Sequence, residues 1–97
     1  MAKLIWSPKS LLELESIFDY ISADSEEYAR IFVHKIVDST TNIPDFPLLG
    51  RIVPEFKDEL IRERIFKNYR IIYRIHAEKI EIVTIFHNAR QLNDSDL

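Results

Sequence analysis

Cysteine is absent from the 97 residues, glycine occurs once, and no apolar run approaches the roughly 20 residues that a membrane span needs. Without cysteine there is no disulfide framework, no thiolate metal site and no cysteine nucleophile, a usage that suits a reducing cytosol. With Gly50 alone there is no phosphate-cradling loop, no dinucleotide fingerprint and no nucleophile elbow, so we expect no cofactor. His34, His76 and His87 make no metal-ligand spacing, and no bound metal is expected. Met1 to Trp6 is too short for the hydrophobic region of a signal peptide. These absences lead us to expect a cytoplasmic protein with no membrane association.

A net positive charge is lacking as well. The formal charge is -3 at pH 7, which argues against a protein whose main work is gripping nucleic-acid phosphates. The charge is uneven along the chain. Residues 1–50 carry Lys3, Lys9, Arg30 and Lys35 against eight acidic residues. From Arg51 onward the balance shifts, with Lys57, Arg62, Arg64, Lys67, Arg70, Arg74 and Lys79 crowded together. An anionic partner would meet this half first.

What is present reads as one domain over 1–97. The composition, 46% hydrophobic and 30% charged, lies in the globular range. Lys3 to Trp6 is a short strand of β-favouring residues. Ser7 then suits a helix N-cap and Pro8 the first helical position, where a missing N–H costs nothing. Leu11, Leu14, Phe18 and Ile21 follow at helical spacing, so a helix over about Pro8 to Ile21 is expected to bury that stripe. Asp24 with Glu27 has the spacing of an acidic capping box and marks the start of a second helix. Its buried face is expected from Ala29, Phe32, Val33, Ile36, Val37 and Ile43, before Pro44 and Pro47 stop it. Pro44 to Phe56 reads as a connector. Leu60 to Phe66, Tyr69 to Ile75 and Ile80 to His87 read as three strands in two hairpins, and Gln91 to Leu97 as a mobile tail. The fold class is α+β: an N-terminal strand, a helical hairpin, then a three-stranded antiparallel meander, with the helices on one face of the sheet and the other face open.

The open face is where side chains are released from packing. Alternation puts Arg70 and Arg74 opposite the face of Tyr69, Ile71 and Tyr73. If Lys67-Asn68 is a two-residue turn, Glu63 and Ile65 share the side of Arg70 and Arg74, and Glu63 lies within cross-strand reach of arginine. A register slip of one residue would bring Arg62 and Arg64 to that side instead. Such a cluster is either a satisfied ion-pair patch or a guanidinium group prepared for phosphate or carboxylate. His87 and Arg90 close the last strand, where an imidazole can serve as general acid or base, or simply as a surface hydrogen-bonding group. Arg62, Arg64, Arg70, Arg74, His87 and Arg90 are therefore the candidate binding residues.

Trp6-Ser7-Pro8, Leu14 to Tyr20-Ile21, Pro47 to Gly50-Arg51, Arg62-Glu63, Tyr69-Arg70-Ile71-Ile72-Tyr73-Arg74, and Ile80 to His87 with Arg90 occur in an order that resembles the RelE/ParE toxins of type II toxin–antitoxin systems. The resemblance spans nearly the whole chain. It implies a stress-response or plasmid-stabilisation toxin. Its cognate antitoxin would cover its apolar and basic surfaces in a toxin–antitoxin hetero-oligomer. It also implies two mechanisms. ParE-like members poison DNA gyrase and cut nothing. RelE-like members are metal-independent endonucleases that cleave messenger RNA on the ribosome, and here Arg64, Arg70, His87 and Arg90 would supply charge stabilisation and proton transfer. The long helical hairpin, Asp19-Tyr20-Ile21, and the closing Ile85-Phe86-His87 with Arg90 look more like the ParE branch, and the negative net charge agrees. A third implied possibility is a non-toxic member that only binds its antitoxin and co-represses the operon.

Overall fold

Residues 2–97 are described by a computed structural model. The elements run β1 (Lys3–Trp6), α1 (Pro8–Ser22), α2 (Glu26–Asp38), β2 (Arg51–Ile52), β3 (Ile61–Phe66), β4 (Tyr69–Ile75) and β5 (Lys79–His87), with a short 3₁₀ turn at Asp94–Asp96. They make the expected α+β fold around one five-stranded sheet of order β1-β5-β4-β3-β2. β1 runs parallel to β5 and the other pairings are antiparallel. No helix among the described residues is long and apolar enough to cross a membrane.

The start of α1 follows its sequence signals. The Ser7 hydroxyl accepts from the Ser10 N–H at 3.1 Å, and Pro8 takes the first turn. Its buried face differs from the expected stripe. Ile17 is the buried apolar residue, Leu14 and Ile21 pack on the core beside it, and Leu11 remains 51% exposed. The inward row is Ser10, Leu14, Ile17 and Ile21, which keeps Leu14 and Ile21 of the expected stripe and replaces Leu11 and Phe18 by Ser10 and Ile17. Ser10 holds that row close to the sheet because it is small and its hydroxyl donates to the Ser7 carbonyl at 2.8 Å.

The second helix is capped by Ser25 rather than Asp24; the Ser25 hydroxyl accepts from the Tyr28 N–H at 3.1 Å. Ala29, Phe32 and Ile36 bury as expected. The helix ends at Asp38, so Ile43 reaches the core from outside it. The serine and threonine hydroxyls of 39–41 donate back to carbonyls three residues earlier, which winds the chain through tight turns in place of a helical continuation.

Lys67-Asn68 is the expected two-residue turn. It places Phe66 opposite Tyr69 and Ile65 opposite Arg70, with Lys67 at φ 50°. In the β4–β5 pairing Ile72 faces Thr84 while Tyr73 faces Ile82, so Val83 is an extra residue. This bulge lets both Ile82 and Ile85 face the helices, where they join Ile17, Phe32, Ile36, Ile43, Ile71, Tyr73 and Ile80 in the main core. Past Trp6 the outer edge of β5 is met by α1. The Ser7 hydroxyl donates to the Val83 carbonyl at 2.9 Å, and Glu13 accepts from the Ile85 N–H at 3.1 Å and from the Thr84 hydroxyl at 2.8 Å.

The far face of the sheet is not open, which corrects the sequence reading. The stretch read as a connector supplies β2 and then lays Val53 and Phe56 against Ile61, Ile72 and Phe86. Leu92 and Leu97 close over the same cluster. A fraying tail was expected at residues 91–97. Leu92 and Asp96 are instead buried, because a leucine meets an apolar surface and an aspartate meets Arg90.

Candidate functional site

Arg70, the second residue of β4, lies on the far face, and its side chain is only 9% exposed. Its Nε donates to Glu63 Oε1 at 2.6 Å, while its two terminal nitrogens donate to Glu55 Oε2 at 2.7 Å and Oε1 at 2.8 Å. The bidentate fork on Glu55 uses the planar geometry that arginine offers and lysine does not. Phe86 lies 5.4 Å from the guanidinium carbon. Glu63 is fully buried, and its second oxygen accepts from Arg51 Nε across the β2–β3 pair. Glu55 Oε2 also accepts the Leu92 N–H at 3.1 Å. The hydrogen bonds from Arg70 pull the Glu55 carboxyl down to about 2, against the opposing effect of burial. The same bonds raise Arg70 further above its already high value. Two carboxylates thus meet one guanidinium and take three of its five N–H donors.

Of the other candidates, Arg90 reaches the same Phe86 ring as Arg70. Arg90 stacks on Phe86 at 4.6 Å and pairs with Asp96. Burial acts to raise the Asp96 carboxyl, but the Asn93 N–H, Arg90 and Lys9 outweigh it and leave it below its usual value. Arg62 and Arg64 point to the helix side of β3. Arg62 donates to the carbonyls of Glu59 at 2.9 Å, Gly50 at 3.0 Å and Leu48 at 3.2 Å. Arg64 donates to the Ser39 carbonyl and to Asn42 Oδ1, both at 2.6 Å. Arg74 is half-buried on the far face, opposite Ile61 on one side and Glu81 on the other.

His87 is exposed at the end of β5, edge-on to Tyr69 with ring centroids 5.7 Å apart. Its Nδ1 accepts the Ala89 N–H at 3.2 Å, which leaves the proton of the neutral ring on Nε2.

The structure therefore brings Glu63 and Arg70 together, as an ion pair deeper than the exposed patch considered from sequence. It does not gather the six candidates into one place. Arg64 lies on the helix side, Arg70 is enclosed on the far side, and His87 and Arg90 are at the end of β5. Tyr73, whose hydroxyl burial pushes above the usual tyrosine value, is bonded to the turn before β2 and is not turned toward solvent. Among the described residues no group of three or more His, Asp or Glu side chains is arranged to hold a metal ion.

Sequence reasoning missed Arg51, Glu55 and Asp96. Glu55 sits in a proline-punctuated stretch without period, so nothing local marks it. Asp96 did carry a signal. Asn93-x-x-Asp96 is a capping-box spacing, and both halves of that box form.

This small α+β domain, with a helical hairpin on one face of its sheet and arginines on β3 and β4, is placed by its similarity to known proteins in the RelE/ParE superfamily of toxins. Within it, the family described as the ParE toxin of the type II toxin–antitoxin system, parDE, matches residues 4–92, and the chain belongs to that family. The chain is 28% identical over 90 residues to Toxin RelE2 of Caulobacter vibrioides, an alignment covering 93% of this chain and 99% of that protein. Its fold is that of a solved structure titled the chromosomal ParDE TA system from P. aeruginosa. The TM-score is 0.76 at 22% identity, over 90% of this chain and 96% of that one.

Proposed function

We propose that this chain arrests growth by binding and poisoning DNA gyrase in the cytoplasm, and that a cognate antitoxin protein neutralises it in a toxin–antitoxin hetero-oligomer. One observation carries the reading: Arg70 and Arg90, beside one ring at Phe86, are both already paired with carboxylates, and Arg64 lies on the other face of the sheet. Cleavage at a ribose 2′-hydroxyl requires a proton acceptor and a cation converging on one phosphate. Arg70 and Arg90 are bound to Glu55, Glu63 and Asp96, and Arg64 faces away from both. A protein that only binds needs no such convergence. It needs surface, and the ParE family membership agrees with that demand.

Ribosome-dependent cleavage of messenger RNA stands as the second reading because the Nε2 of His87 is exposed at a strand end. Purified protein added to gyrase and supercoiled plasmid is expected to accumulate broken DNA held by gyrase, while messenger RNA on purified ribosomes stays intact. Fragmented messenger RNA with untouched gyrase activity would establish the nuclease instead. No effect on either, with growth unimpaired, would leave operon co-repression.

A further inference from the structure

Between α2 and β2 the chain turns through Phe46-Pro47-Leu48-Leu49, and three large apolar side chains stay outside: Phe46 is 57%, Leu48 67% and Leu49 62% exposed. Leu60 and Ile52, on either side of Arg62 in the strand rows, are exposed too. The backbone of this turn is nevertheless fastened to the core. The buried Tyr73 donates its hydroxyl proton to the Pro47 carbonyl at 2.6 Å and accepts the Gly50 N–H at 3.0 Å. Arg62 donates to the carbonyls of Leu48 and Gly50, and the Leu49 N–H donates to the Phe46 carbonyl at 3.1 Å. Gly50 is required here by close approach, since a Cβ would stand 2.8 Å from the Glu63 carbonyl and press on Tyr73.

An apolar cluster that is rigid before any partner arrives has already lost the conformational entropy that binding would otherwise cost. Contiguous exposed apolar surface of this kind marks contact sites between proteins, where a few anchor side chains carry most of the affinity. The rim gives the partner its charge. Arg62 and Arg64 are bound only to neutral oxygens, and among the described residues neither has a carboxylate within ion-pair distance. Arg51, Arg70 and Arg90, by contrast, are all paired.

We infer that the Phe46–Leu49 turn is the anchor with which this chain grips its target protein, seating in an apolar groove rimmed by carboxylates that meet Arg62 and Arg64. The assignment of gyrase as that target rests on the reading above; the placement of the contact does not. The test is the double variant Leu48→Ser with Leu49→Ser, with Phe46→Ser as a second variant should the double melt early. Each is assayed for growth arrest, for gyrase inhibition and for neutralisation by the co-transcribed antitoxin.

The expected result is unchanged neutralisation complexes, a melting temperature close to that of the parent, and a loss of gyrase inhibition and growth arrest of about 30-fold or more, as for removal of a binding hot spot. Arg64→Gln should weaken the same activity at low salt and much less at high salt. Growth arrest lost in the variants, in a protein whose parent never inhibits gyrase, would uphold the anchor and retire gyrase as the target. Full growth arrest with lost neutralisation would assign the turn to the antitoxin and overturn the inference, as would variants unchanged in every assay.

Discussion

On the helix side of the sheet Ile36, Ile43, Ile71, Ile82 and Ile85 meet with almost no exposure and no charged group among them. On the far side Val53, Ile72 and Phe86 share their space with Glu63 and Arg70, both enclosed, and with Glu55 and Arg90 at the margin. The first face is held by removal of apolar surface from water, which is indifferent to pH and forgiving of partner identity. The second is held by a small apolar cluster and an ionic network in which each member depends on the others. Removing one partner from such a network strands a buried charge. The comparison shows where basic residues go in a chain that is acidic overall: several are consumed in fastening segments together, and only the remainder face outward.

The largest effect should come from Arg70→Ala, which leaves Glu63 buried without its cation and is expected to cost roughly 3 to 5 kcal/mol in denaturant melts. Replacing Glu55, Glu63 and Arg70 together by apolar residues of similar size should recover much of that loss, because the one charge left without its partner, Arg51, is 62% exposed and is taken up by water. If the triple variant is as unstable as the single one, the far face depends on the pair itself and the contrast needs revision.

Ile36→Ala on the helix side is expected to cost roughly 3 kcal/mol through lost burial and the cavity it leaves. Its cost should be the same at neutral and mildly acidic pH, which equilibrium unfolding at the two conditions can check.

The far face alone should answer to acid. The Glu55 carboxyl is depressed to about 2 in the folded chain from 4.5 when free, so its contribution is complete above about 4.5 and disappears as the pH falls toward 2. Allowing for solvent screening at a partly open carboxylate, this amounts to about 1 to 2 kcal/mol. Protection of the Leu92 amide, whose N–H donates to Glu55, should fall over that window, relative to the intrinsic exchange rate at each pH, ahead of the amides of α2. Equal loss of protection at both places would mean that the two faces open as one. The smallest effect is Leu11→Ala, expected within about 0.5 kcal/mol because the side chain is already exposed.

The helix side was legible in the sequence because its signals are local. Ser7-Pro8 starts a helix, Ala29, Phe32 and Ile36 recur at helical spacing, and Lys67-Asn68 fixes the pairing of two strands rich in isoleucine. In α1 Leu14 and Ile21 pack on the core as expected, while Ser10 and Ile17 bury in place of Leu11 and Phe18, a small rotation that periodicity tolerates. On the far side hairpin alternation reached the Glu63–Arg70 pair, and the rest was illegible because its members come from separate segments. Arg51, Glu55, Glu63, Arg70, Leu92 and Asp96 converge only after the sheet has formed, and no spacing between them is periodic. The candidate site suffered the same way. Alternation sorted Arg70 and Arg74 onto one face, but it gave no hint that Glu55 would cross over to clasp one of them.

On this reading the basic and imidazole groups of the fold hold structure or present surface and do not move protons. Growth arrest measured across a titrated inducer for the parent and His87→Ala tests it most directly, because His87 is exposed and outside both cores. Toxicity is expected to stay within about threefold of the parent, a contact-sized change. Loss of toxicity by the roughly 10²- to 10⁴-fold that a general acid–base group contributes, with the melting temperature unchanged, would contradict it.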